Sequence, residues 1–293
     1  MIYLIASIVL TSYLTLFFKF LEKLGLSSFQ VIVINYFTCV ATGIVVNGTV
    51  PDYGTAISQP WFRWAVIMGF TFISIFNVVA FTARKIGVAV ASVANKLSLV
   101  IPFVFSLALY NEAASMLQIA GIIVALAAVV LTCLPDKRVV ATHNDEMKFL
   151  SIIFPIILFI GSGLLDTMIK YVEHNFLNGQ NNNDYLITAF LSAGVMGAIV
   201  WIYFALRGKL RFDKRAIVAG IALGIPNYFS IFALIEALKS FPSKSGVVIP
   251  VNNMGIVLFS SVVAWLIYKE RLSLINWIGI GLSLAAITMI AFA

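Results

Sequence analysis

Apolar residues run along this chain in blocks of about twenty, separated by short polar stretches. Each block is read as a helix, which gives ten of them over roughly 2–20, 29–47, 62–82, 87–110, 115–134, 148–171, 185–206, 215–236, 245–267 and 273–292. Blocks of this length match a bilayer hydrocarbon core about 30 Å thick. The pattern predicts an all-α polytopic membrane protein with ten transmembrane helices. Most connections are short. The longer ones, Gly48–Trp61, Pro135–Met147 and Glu173–Asp184, are rich in Gly, Asn, Asp or Pro and read as loops.

Residues 135–147 divide the chain into two sets of five helices, 1–134 and 148–293. The two sets resemble each other. Tyr110, Glu112, Gln118 and Gly121 in the first match Tyr268, Glu270, Asn276 and Gly279 in the second, always 158 residues apart. The same offset lays Asn95 over Asn253. Five is an odd number, so the second repeat crosses the membrane upside down relative to the first. Inverted repeats around a central cavity are the architecture of secondary transporters.

Composition excludes a soluble domain. Hydrophobic residues make up 61% of the chain and charged residues 11%, against about 25% charged in soluble domains. The first eighteen residues (MIYLIASIVLTSYLTLFF) have no basic start and no small-residue cleavage site, so they read as a retained first span rather than a signal peptide.

The net charge of +7 is a matter of topology, not of nucleic-acid binding. Let side A be the side of the connections after the first, third, fifth, seventh and ninth helices, and side B the other. Side A collects 14 basic residues and side B collects 4, with Lys96 in neither group. The positive-inside rule makes side A cytoplasmic, so both termini of this multi-pass cell-membrane protein are expected outside. Trp61, Trp64, Trp277 and Tyr268 suit helix ends at the headgroups.

The ten-helix arrangement, with a glutamate closing each fourth helix and an amide and a glycine opening each fifth, resembles the drug/metabolite transporter superfamily. Its EamA type, which includes rhamnose-transporter-like members, is the nearest in pattern. The resemblance covers essentially the whole chain and implies a carrier of small metabolites with a cavity between the two halves. Members of this type usually keep both termini in the cytoplasm. The charge bias here points the other way, and the expectation follows the charges.

Lys96 leads the candidate site residues. If its helix starts near Gly87, nine residues at 1.5 Å each place it roughly 13 Å from side A, beyond the reach of a snorkelling side chain. A lysine at that depth either lines a wet cavity and binds an anionic group or is a structural cation held by backbone and side-chain oxygens. Asn95, Asn77, Asn227, Tyr228, Asn252 and Asn253 complete the substrate-binding candidates, with interhelical bonding as the alternative for each amide, Asn35 included. Asp166 is the proton or ion-coupling candidate, its simplest partner being Lys170 at i+4. Glu112, Glu270, Gly121 and Gly279 are expected to be structural. Gly220 with Gly224 and Gly194 with Gly197 suit close helix contacts.

Cys39 and Cys133 have no disulfide or metal spacing. The chain contains no GxxxxGK[ST], HExxH or GxSxG motif, and His143 and His174 fall in loops. No catalytic residue, cofactor or metal is expected. The predicted function is a secondary transporter moving a small polar metabolite, anionic or zwitterionic such as an amino acid or sugar derivative, by alternating access. An intramembrane enzyme, a lipid-handling protein and a non-transporting adaptor are the alternatives. The expected partners are a small-molecule substrate and the lipid bilayer, with no nucleic acid. Met254 stands where the repeat would place a second Lys96, and specificity is expected to reside in that asymmetry.

Overall fold

The computed structural model describes residues 2–101, 104–105, 115–133, 145–177, 181–209, 212–240, 245–269 and 272–291. Among these residues all regular structure is helical. The helices are α1 (Ile2–Lys23), α2 (Ser28–Asn47), the one-turn α3 (Tyr53–Ala56), α4 (Pro60–Lys85), α5 (Val88–Leu97), α6 (Met116–Cys133), α7 (Asp145–Phe176), α8 (Asn182–Leu206), α9 (Arg215–Ser240), α10 (Ser245–Tyr268) and α11 (Leu274–Ala291). Seven contain an apolar stretch long enough to cross a bilayer. Shorter apolar stretches lie in α5, α6 and α11.

One predicted helix differs in kind. The expected 87–110 helix keeps α-helical geometry only to Leu97, with a turn at Ser98 and Leu99 before helical backbone resumes at Val100. The cause is local. Pro102 has no N–H to give to the Ser98 carbonyl four residues back. That carbonyl instead accepts from the Ile101 N–H at 2.9 Å, three residues on. Apolar periodicity runs straight through this break and cannot reveal it.

Contacts divide the chain into two units. The first comprises 1–19, 78–164 and 230–293, and the second comprises 20–77 and 165–229. In the first unit, α6 and α11 pack against each other, and both pack on α5. Their shared core includes Ala89, Val93 and Leu97 of α5, Ala125 and Ala128 of α6, and Ala286 and Ile287 of α11, with Val257 from α10. Gly121 lets the backbones approach, since a Cβ there would lie 2.8 Å from Ile290 Cγ1 and 3.2 Å from the Ile290 nitrogen.

Both α6 and α11 open with a capping box. The Ser115 N–H donates to Gln118 Oε1 at 2.9 Å while the Gln118 N–H donates to Ser115 Oγ at 3.1 Å. Ser273 and Asn276 repeat the exchange at 2.9 and 3.2 Å. Each box satisfies two of the four N–H groups that a helix start leaves without intrahelical partners. The amides at 118 and 276 are therefore caps. Asn276 Nδ2 also donates to the Leu131 carbonyl at 3.3 Å. The start of α11 thus meets the end of α6, and Gly121 near the start of α6 meets the end of α11. The pair is antiparallel.

The second unit is built on glycines and aromatic rings. Gly220 and Gly224 of α9 sit against α2, where a Cβ on Gly224 would lie 2.5 Å from Thr38 Cβ and 2.8 Å from the Asn35 carbonyl oxygen. Gly197 of α8 sits against Ile73 of α4 and Val33 of α2, and a Cβ on Gly194 would lie 3.3 Å from the Phe37 ring. Trp61, expected at the headgroups, is 3% exposed and packs edge-on against Tyr185 with centroids 6.2 Å apart. It belongs to a cluster with Ala65, Met68, Leu165 and Ala189. The expected scaffold residues Glu112 and Glu270 lie outside the described residues, and Gly279 is buried.

Candidate functional site

Lys96 sits on the last turn of α5, one residue before the break. From Val88 to Ala94 every residue of α5 is buried, on all sides of the helix. Such a helix has no lipid-facing stripe. Asn95, Lys96 and Leu99 are then half-buried. At 100° per residue these three share one face of the helix. Partial exposure thus starts midway along an otherwise enclosed helix and on one face. Ser98 Oγ donates to the Asn95 carbonyl, so the end of the helix is closed by a side chain.

Asn252 and Asn253 lie on α10, which packs against α5. They are 3% and 9% exposed. Asn252 Oδ1 is buried without a hydrogen-bond partner among the described residues. An amide oxygen left so in an apolar helix costs about 1–3 kcal/mol, which a ligand or water can recover. Met254, the counterpart of Lys96, accepts a hydrogen bond from Thr288 Oγ1 at 3.2 Å through its sulfur. The first unit thus brings Asn95, Lys96, Asn252 and Asn253 onto two packed helices, α5 and α10.

The remaining candidates belong to the second unit. Asn227 Nδ2 donates to Asn35 Oδ1 at 3.2 Å, and both residues are buried. The Cys39 thiol, also buried, donates to the Gly224 carbonyl at 3.4 Å. Pro226 stands inside α9 beside this cluster and donates no N–H to the helix ladder. Asn227 is thereby joined to α2, the interhelical role. Tyr228 is 4% exposed and packs where Gly43 leaves room, its Cε2 lying 3.1 Å from a Cβ built there. Asn77 Nδ2 donates to the Ile73 carbonyl of its own helix at 2.7 Å.

Asp166 is exposed. The exposed apolar residues of α7, among them Phe149, Ile152, Ile156, Ile160, Leu164 and Tyr171, recur every three to four positions and mark its outward stripe. Asp166 lies roughly 120° around the helix from that stripe. The side chain of Lys170, the expected partner of Asp166, lies outside the described residues. At the start of α9, Asp213 bonds the Arg215 backbone N–H at 2.9 Å and its guanidinium at 2.8 Å. The guanidinium holds the Asp213 carboxyl below its ordinary range.

Two features escape a reading of the sequence. The break after Lys96 shows only through Pro102, six residues on. The second is a hydrogen bond between the hydroxyls of Ser92 and Ser260, 2.7 Å long and buried, which joins α5 to α10. Single serines in apolar helices carry no signal of their own.

Comparison with known proteins follows the same lines. Residues 149–292 match the EamA-like transporter family. An uncharacterized protein of Haemophilus influenzae is 27% identical over 220 residues, which cover 75% of this chain and 72% of that protein. A solved crystal structure superposes with a TM-score of 0.64 at 16% identity, over 99% of this chain and 96% of its own; at that identity the likeness is one of fold. With its apolar helices the chain is a multi-pass membrane protein, and its second half, 149–292, matches the EamA-like transporter family.

Proposed function

We propose that this protein is a secondary carrier that binds a small anionic or zwitterionic metabolite at Lys96 and moves it by alternating access between two inverted five-helix repeats, 1–134 and 148–293. The observation that carries the reading is the state of α5 at Lys96. An otherwise enclosed helix becomes partly accessible on one face and loses its regular hydrogen bonding within the same turn. Non-helical backbone inside a membrane protein is tolerated where it is buried in protein or lines a water-filled cavity. An ammonium group in mid-membrane costs about 2.5–3.5 kcal/mol on insertion scales. An anion in a wet cavity offsets that cost.

The antiparallel α6–α11 pair supports the inverted repeat. Leu131, which accepts from Asn276, and Met289, which faces Gly121, are themselves 158 residues apart. In this reading Asn95, Asn252 and Asn253 supply hydrogen bonds to the substrate near Lys96. Asn77, Asn227 and Tyr228 serve the second unit, and Asp166 is the group available for proton coupling. Side A faces the cytoplasm, and no step requires a cofactor.

The test is a thermal-shift screen of amino acids, sugar acids and small phosphates on the purified chain, followed by uptake of any hit into proteoliposomes. Lys96→Ala is expected to remove both the shift and the uptake while leaving the unliganded melting temperature in place. Full uptake by that variant would leave Lys96 a structural cation.

A further inference from the structure

We infer that the Ser92–Ser260 hydrogen bond is a one-sided latch, which holds α5 and α10 together between the Lys96 site and side A and opens when that site faces side A. The inference rests on the carrier reading.

Ser92 lies one turn before Lys96 and within about 60° of Asn95, Lys96 and Leu99 around α5. It belongs to the same face. That face is half-buried at Asn95, Lys96 and Leu99 but closed at Ser92, 2% exposed, and at Val88, 0% exposed. The closure therefore begins at Ser92 and continues toward the start of α5, which is the side-A end. Its partner, Ser260, is 0% exposed. The Ser260 oxygen also lies 2.6 Å from the Ile256 carbonyl, so it remains bonded within α10 when the helices part. Opening thus exchanges one hydroxyl–hydroxyl bond for water on Ser92, a small cost suited to a contact that breaks in every cycle.

Other bonds at this end are also polar. The Tyr268 hydroxyl donates to the Leu16 carbonyl at 3.0 Å, tying α10 to α1, and Lys19 Nζ donates to the Arg84 carbonyl at 2.8 Å, tying α1 to α4. At the opposite ends of α1 and α10 the contact is apolar, through Leu4, Ile8 and Val251. The sequence makes the latch one-sided. The 158-residue offset lays Ser92 over Pro250 and Ser260 over Pro102. Proline has neither a hydroxyl nor an N–H, so the counterpart positions cannot form this bond.

Asn95→Cys tests the latch without a known substrate, in a chain carrying Cys39→Ala and Cys133→Ala. Its reaction with a membrane-impermeant methanethiosulfonate is followed in vesicles of either orientation, with Leu99→Cys as the reporter if Asn95→Cys does not fold. Ser92→Ala and Ser260→Ala are each expected to speed labelling from side A roughly five-fold, the worth of one hydrogen bond. The double variant is expected to be no faster than either single one, because both remove the same bond. An unchanged side-A rate, or a double variant that multiplies the two effects, overturns the latch; persistent labelling from side B then leaves the carrier reading standing. No labelling from either side in any variant overturns both.

Discussion

Two helix pairs of the same unit, α6–α11 and α5–α10, differ in how far the 158-residue offset in the sequence holds. In α6–α11 the features recur in both helices. A serine–amide box opens each, and a buried glycine follows three residues after each amide. In α5–α10 only the amide recurs, Asn95 over Asn253, and the other features do not. Lys96 faces Met254 across the offset, Ser92 faces Pro250, and the α5 break at Ser98 has its counterpart at Ile256 inside continuous α10. Repetition marks what both halves need in order to stand. Where the repeat fails, one half has acquired something the other lacks.

The largest expected effect removes the asymmetry. Lys96→Met gives α5 the residue of its counterpart at similar length, so uptake of a substrate found by screening should fall at least about a hundredfold, the scale of losing a desolvated charge contact. The unliganded melting temperature should stay in place, because Met fills the half-buried position at similar length. Retained uptake would sink the comparison at its centre. Next comes the symmetric pair. Gly121→Ala should cost about 1–3 kcal/mol in chemical denaturation, since the new Cβ meets Ile290 at 2.8 Å and its backbone nitrogen at 3.2 Å.

The caps come third. Ser115→Ala and Ser273→Ala should each cost about 1 kcal/mol. Equal losses are the point, and an unequal pair would mean that the two boxes do different jobs. The smallest effect is a control within α11. Gly281→Ala meets no atom within 4 Å and should stabilise by about 0.5–1 kcal/mol through helix propensity.

The helices were legible because twenty-residue apolar blocks leave little choice in a bilayer. The roles of Gly220, Gly224 and Gly197 were legible too, since small residues a turn apart permit close backbone approach. Gln118 and Asn276 were visible as repeated amides, but their role as caps needed the serines three residues before them. The end of α5 was hidden because hydrophobicity reports burial and says nothing of the backbone ladder. The Ser92–Ser260 contact joins residues 168 positions apart, and no local pattern announces such a pair. Trp61 stands at the start of α4, a helix end as expected, but residue type did not announce its packing against Tyr185.

The glycine contact between α2 and α9 has a mechanical consequence. Gly224 presses on the Asn35 carbonyl and Thr38 Cβ with no side chain of its own between them. Rotamer changes therefore cannot loosen the contact. Sliding α9 by one residue would drive Ile221 or Leu223 into slots that now admit only glycine. The register of the two helices is keyed, like a tooth in a rack, and any motion of the second unit has to carry α2 and α9 as a single lever.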